Sequence, residues 1–174
     1  VATALGAILD PPKLLPLIVE RAQAALRSQA CTLMLLDETR QELMFEIPMG
    51  AAGRTLQQWR VSINDGVCGW VARTGEPAIV NDPRADPRFD RQVDRASGFQ
   101  TRNVLCVPLQ VRGRVSGVLE VLNKQNGAPY TVHDLKLLNT LAGQAAVAID
   151  HAQLYTSLQN EHARLLEAED QVRK

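Results

Sequence analysis

Residues 104–122 read VLCVPLQVRGRVSGVLEVL, two apolar runs rich in β-branched residues joined across Arg112, Gly113 and Arg114. A glycine in a three-residue connection between two such runs predicts an antiparallel hairpin, Val104 to Val111 with Val115 to Leu122. Both faces of both strands are mostly apolar, so the hairpin belongs in the middle of a sheet with cover on each side. Strand alternation sets Ser116, Val118, Glu120 and Leu122 on one face and Val115, Gly117, Leu119 and Val121 on the other. A carboxylate in such a strand must find donors, take up a proton, or line a pocket where it accepts hydrogen bonds from a ligand. Ser116 and Glu120 make the first of these faces the more polar one, and where that face borders a cavity Glu120 is the expected ligand contact. Its competing role is a glutamate satisfied by neighbouring backbone or by an arginine.

The remaining chain has to supply flanking strands and two covering layers. Asp10 before Pro11 and Pro12 is a helix opening, and Leu14, Leu17, Ile18, Ala22, Ala25 and Leu26 give a buried helical stripe to about Ser28. Residues 31–38 and Leu43 to Ile47 predict a hairpin through Glu38 to Gln41, with a further strand at Trp59 to Ile63. In DGVCGWVARTGEPAIVND, residues 65–82, Asp65 is the expected cap of a short helix stopped by Gly75, followed by a strand at Ala78 to Val80. Asp-Pro-Arg occurs twice, at 82–84 and 86–88, and Asp86 with Pro87 predicts another short helix ended by Gly98. Aspartates 82, 86, 90 and 94 interleave there with Arg84, Arg88, Arg91 and Arg95, a solvated mixed-charge surface.

Thr131 and Asp134 match a capping box, and only Gly143 interrupts helical sequence from there to the end. Leu137, Leu138, Leu141, Ala145, Ala148, Ile149 and Ala152 can face the sheet. Tyr155, Leu158, His162, Leu165 and Val172 then continue at three-four spacing, which Glu169 breaks, along a rod projecting roughly 25–30 Å. Such an amphipathic rod requires a partner helix, so a homodimer is expected.

A chain of 174 residues fits one domain, and 19 basic against 19 acidic residues leave no net field to steer nucleic acid or anionic membrane. No nucleic-acid or membrane partner is expected. Cys31, Cys68 and Cys106 lack the paired spacing of a zinc site and the density of a disulfide scaffold, which points to a reducing, cytoplasmic setting. No run approaches the roughly 18 apolar residues of a membrane helix, and the first residues lack a signal-peptide pattern. His133, His151 and His162 form no i, i+4 pair, so no metal site is expected. No catalytic constellation is visible. The absence of an initiator Met and the helix-prone last residues suggest part of a longer parent.

Residues 66–82, 101–109, 112–124 and 141–155, GVCGWVARTGEPAIVND, TRNVLCVPL, RGRVSGVLEVLNK and LAGQAAVAIDHAQLY, together resemble a GAF domain, the small-molecule-sensing module of phosphodiesterases, phytochromes and bacterial signalling proteins. The resemblance spans about residues 10–155, with residues 1–9 as lead-in and 156–174 as a signalling and dimerisation extension. It implies an α+β fold with a central antiparallel sheet of about six strands. The first and last helices would lie on one face, with short helices and a ligand cavity on the other. It also implies a covalently linked effector domain that responds to ligand binding through the terminal helix. NKQNGAPYTVHDL, residues 123–135, is similar to the motif of cyclic-nucleotide-binding members, with Asn123, Lys124 and Asp134 matching and Tyr130 and Leu135 departing. In that subfamily the Lys and Asp form a supporting salt bridge, a role that Lys124 and Asp134 could share.

Position adds Gly66, Cys68 and Gly69 at a helix opening suited to an anionic group, and Asp82 and Asn103 at loop–strand junctions. The ligand itself stays unknown, a cyclic nucleotide or another small organic molecule. No cysteine has a neighbouring histidine, so neither bilin nor haem is expected. Some relatives reduce free methionine sulfoxide through cysteine; Cys31 and Cys106 read as inert core thiols, leaving Cys68 as the candidate low-pKa thiol. The alternatives to a sensor are therefore a Cys68-centred reductase and a dimerisation module whose cavity is filled by its own side chains.

Overall fold

The computed structural model describes residues 11–49 and 59–173. The expected cap at Asp10 and the lead-in at 1–9 lie outside the described residues. Helix α1 (Pro11–Ala25) opens on two prolines, which suit a first turn whose amides have no helical partners. It stops three residues short of Ser28 because Arg27, at φ +48°, turns the chain into β1 (Ser28–Asp37), where Ser28 already pairs with Lys124. The chain continues through β2 (Glu42–Met49), β3 (Arg60–Ser62), α2 (Gly66–Thr74), β4 (Ala78–Val80), α3 (Gln92–Ser97), β5 (Val104–Val111), β6 (Arg114–Lys124) and α4 (Val132–Val172).

Among the described residues six antiparallel strands form one sheet in the order β3-β2-β1-β6-β5-β4, so the hairpin of β5 and β6 is internal, as its two apolar faces require. Its turn is tighter than expected. Arg114 already pairs with Val111, and Arg112 and Gly113 both have positive φ, the two-residue geometry that matches strand twist.

Strand alternation divides the interior into two cores. Leu105, Val107 and Leu109 of β5 with Leu119 and Val121 of β6 pack under α1 and α4, against Ile18, Val19, Leu138 and Ala145. Val104, Cys106 and Val118 face the opposite way, against Val67, Val71 and Ala72 of α2 and Met34, Leu43 and Phe45 of β1 and β2. The first and last helices thus share one face, and the short α2 covers the other.

The segment after β4 departs from expectation. Asp86 starts no helix. Its Oδ1 accepts from the Arg88 backbone N–H at 2.9 Å, and its carboxylate takes the Arg88 guanidinium at 3.0 and 2.7 Å, closing a local turn. The helix forms only at Gln92 and ends where Gly98 adopts φ +74°, as expected for that glycine. Arg88 lies 4.5 Å from the Trp70 ring centre, which pins this loop over α2.

A cavity between the sheet and the short helices

A cavity of about 80 Å³ lies between the sheet, α2 and the 82–101 segment, with room for several water molecules. Met34, Phe45, Val104 and Leu122 form its apolar sheet side, Gly66, Val67 and Cys68 bring in the start of α2, and Phe89 and Val93 come from the covering segment. Glu120 is the buried carboxylate among these walls. It pairs directly with Cys106 across β5–β6 and with Thr32 across β1–β6, so the centre of the sheet fixes its position.

The Cys68 thiol donates to Glu120 Oε2 at 2.7 Å and its sulfur lies 3.5 Å from Cys106 Sγ. Among the described residues no arginine or backbone amide takes the role of partner to Glu120, and the partner it has there is the Cys68 thiol rather than the competing role read from sequence. Burial raises the Glu120 carboxyl to about 7; the Cys68 hydrogen bond pulls the other way and the nearby Asp94 charge adds to the rise. The contact with Cys106, followed by burial and the Glu120 charge, pushes the Cys68 thiol well up. Burial does the same to Cys31 and Cys106. The expectation of a low-pKa thiol at Cys68 is therefore overturned: the position is near a helix start, but it is buried against a carboxylate and a second thiol.

Of the expected ligand contacts, Glu120, Gly66 and Cys68 come together on this cavity and Gly69, Asn103 and Asp82 do not. A Cβ on Gly69 would stand 2.5 Å from the Ile63 carbonyl oxygen, so the glycine serves the close seating of α2. Asn103 is buried and satisfied structurally, donating to the Ala128 carbonyl at 2.9 Å and accepting from the Lys124 amide at 3.0 Å. Asp82 lines a separate open cleft of about 730 Å³ with Arg84, Arg91, Arg95 and Arg102; Phe89, Asp94 and Thr101 form a wall common to both spaces. Asp65 occupies the cap position of α2 but makes no side-chain capping bond.

Sequence reasoning missed Cys106, Asp65, Asp90 and Asp94 as parts of this neighbourhood. Three of them line the cavity beside Glu120, and among the described residues lining it there is no Lys, Arg or His. The interleaved aspartates carried a signal, but it was read as solvated surface.

The sequence pattern of the GAF domain family matches residues 10–149. The chain belongs to the GAF domain family. GAF domains are regulatory domains, and this chain is 34% identical over 99 residues, 57% of its length, to "Probable 3',5'-cyclic phosphodiesterase pde-5" of Caenorhabditis elegans. It spans only 14% of that protein. Among solved structures, the GAF domain of a phosphoenolpyruvate-protein phosphotransferase from Coxiella burnetii superposes with a TM-score of 0.74 at 22% identity, covering 84% of this chain and 86% of that one. The corresponding Acinetobacter domain gives 0.71 at 24% identity, covering 82% and 84%. These likenesses bear out the α+β, six-stranded expectation.

In this GAF domain Lys124 and Asp134 do form an ion pair, Nζ to Oδ2 at 2.6 Å, joining the end of β6 to the start of α4. The same carboxylate accepts the Thr131 amide at 2.9 Å while Thr131 Oγ1 accepts the Asp134 amide, a complete capping box. Partial burial pushes the Asp134 carboxyl up, but Lys124 and Thr131 outweigh it and hold the group below its usual range. The contribution is therefore present above the ordinary aspartate pKa and is lost as pH falls through the lowered one. Asp134→Ala is expected to cost about 1–2 kcal/mol at neutral pH, read from urea unfolding, with Lys124→Met costing less because the cap survives.

Beyond Ile149, the last buried residue of α4, the helix continues for about 35 Å. Tyr155, Leu158, Leu165 and Val172 are exposed there, as is His162, and so is Leu154, which the sequence reading omitted. No described helix is long and apolar enough to cross a membrane.

Proposed function

We propose that this GAF domain senses a small molecule in the Glu120 cavity and passes its binding to an effector in the parent protein through a dimeric α4. The observation that carries this reading is a buried carboxylate in a cavity with room for several waters, under short, locally held elements that can adjust. A side-chain-filled dimerisation module would leave no such space. The preferred occupant is small and carries N–H or O–H donors or a positive charge, since the described lining offers carboxylates and no cation. Gly66 and Cys68 are secondary contacts; Gly69, Asn103 and Asp82, which do not line this cavity, are not among the proposed contacts.

A cyclic nucleotide is the second reading, favoured by the Lys124–Asp134 bridge and by the name of the phosphodiesterase relative. A Cys68-centred reductase is disfavoured by a thiol held protonated. Ligand binding changes output only through unequal affinity for two arrangements of α4. Exposed Tyr155, Leu158, His162, Leu165 and Val172 are the proposed helix contacts across the dimer.

Thermal-shift screening of the full chain against amines, amino acids, organic acids and cyclic nucleotides tests the ligand. A ligand at about 100 times its Kd stabilises by about 2.7 kcal/mol, or roughly 5–10 °C for a chain of this size, and Glu120→Gln should lose most of that shift. Uniformly unshifted melting, together with native mass spectrometry finding no co-purified molecule, would end the sensing proposal. Sedimentation tests the relay: the chain should dimerise and Leu158→Glu with Leu165→Glu should make it monomeric, whereas a monomer at high concentration would refute it.

A further inference from the structure

We propose that Cys68, Cys106 and Glu120 form a zinc-type metal site at the edge of the cavity. Cys68 Sγ, Cys106 Sγ and a Glu120 carboxylate oxygen all lie within 4.8 Å of one another, and all three residues are buried. Each comes from a different element, α2, β5 and β6, and Cys106 and Glu120 are direct partners across the central ladder. Such placement on packed elements is what holds a ligand set at useful distances.

Two thiolates and one carboxylate suit a borderline-soft divalent ion, with zinc the closest match. Tetrahedral zinc, with Zn–S near 2.3 Å and Zn–O near 2.0 Å, separates two sulfurs by about 3.8 Å and sulfur from oxygen by about 3.5 Å. The observed Cys68–Cys106 separation is 3.5 Å, close to that value. The Cys68–Glu120 contact of 2.7 Å is a thiol hydrogen bond and has to open by roughly 0.8 Å, which loss of its proton allows. Binding balances as one Zn²⁺ entering and the two thiol protons leaving to solvent, with Glu120 as carboxylate and its own proton, where it carries one, leaving as well. Cys68 and Glu120 also line the cavity, so a fourth position faces it and can accept water or a donor atom of a small molecule. Three protein ligands plus an open position is the arrangement of reactive rather than purely structural zinc. Asp65, Asp90 and Asp94 line the same space and favour a cation's approach.

The site shares a wall with the proposed sensing cavity but does not depend on it, because metal can bind there whether or not an organic ligand does. The sequence concealed it: the two cysteines are 38 residues apart, and only the seating of α2 on β5 and β6 joins them.

The test is anaerobic titration of the full, reduced chain with Co²⁺, followed by displacement with Zn²⁺. One cobalt per chain should bind with thiolate-to-cobalt charge-transfer absorption. Cys68→Ser and Cys106→Ser should abolish that absorption, and Glu120→Gln should weaken binding roughly tenfold or more. Cys31→Ser should leave binding unchanged, since Cys31 lies in the opposite core. Because a core variant can fail to fold, X-ray absorption of the zinc-loaded unmodified chain supplies a second measurement, expected to show two sulfurs at about 2.3 Å. Absence of charge-transfer absorption, its persistence in folded Cys106→Ser, or a zinc shell without two sulfurs would overturn the proposal. A failed organic-ligand screen would leave these outcomes unaffected, which separates this site from the sensing reading.

Discussion

Gly117→Ala is expected to destabilise the domain by about 3 kcal/mol, lowering its midpoint by roughly 10 °C. The substitution adds one methyl group, which is ordinarily neutral or favourable in a chain that loses glycine's unfolded-state freedom. Here the Cβ would stand 2.1 Å from the Met34 carbonyl oxygen, 3.1 Å from its carbonyl carbon and 3.2 Å from Leu109 Cδ1. Two of those atoms are backbone of β1, which is itself held between β2 and β6, so no side-chain rotation relieves the clash. Relief requires β6 to move away from β1 at the centre of the sheet, at the cost of ladder hydrogen bonds and of contacts in both cores. The β1–β2 register shift between Leu33 and Met34 falls at the same place, so the strand is already irregular there. Urea unfolding with an unchanged m-value would measure the loss. A change below about 0.5 kcal/mol would show that β1 and β6 can separate at little cost.

The alternation that placed Gly117 and Glu120 on opposite faces was legible in the sequence because strand period is a local property of the backbone. The same holds for the capping box at Thr131 and Asp134 and for the stop at Gly98, where one or a few adjacent residues determine geometry. Asp86 was misread because Asp-Pro opens either a helix or a turn, and what decides between them is Arg88, held at once by Asp86 and by the Trp70 ring. Trp70 is 18 residues upstream of Arg88, beyond any local pattern. The site was half legible for the same reason. Glu120, Gly66 and Cys68 could be placed on the cavity side, because each is marked by a neighbour in sequence. Cys106 could not, because an apolar strand residue reads identically whether it faces another methyl group or a thiol from a distant helix. Asp94 looked like solvated surface, yet it accepts from Thr101 at 2.8 and 2.7 Å and turns that part of the segment toward the cavity. Position 69 carried a real constraint with the wrong reading: the glycine is demanded by the Ile63 carbonyl rather than by a ligand.

Glu120→Gln should stabilise the ligand-free domain at alkaline pH and leave it nearly unchanged in mild acid. The Glu120 carboxyl stands at about 7 in the folded protein against 4.5 for an unperturbed one, chiefly because burial disfavours its charged form. Between those values the folded state holds a proton that the unfolded state has released, so stability falls as pH rises through that window. Below about pH 4.5 both states are protonated and the penalty is absent; above about pH 7 both are ionised and the penalty is complete, of order 3 kcal/mol. Glutamine keeps the shape and an oxygen to accept from Cys68, but cannot ionise. The difference in unfolding free energy between variant and parent should therefore grow from near zero at pH 4.5 to about 3 kcal/mol at pH 8. The measurement is made with a chelator present, since a metal bound at Cys68, Cys106 and Glu120 would favour the carboxylate. A constant offset between the two proteins across this range would mean that Glu120 ionises as freely folded as unfolded. Its surroundings would then be wetter than a carboxylate enclosed by Cys68, Cys106 and Thr32 allows.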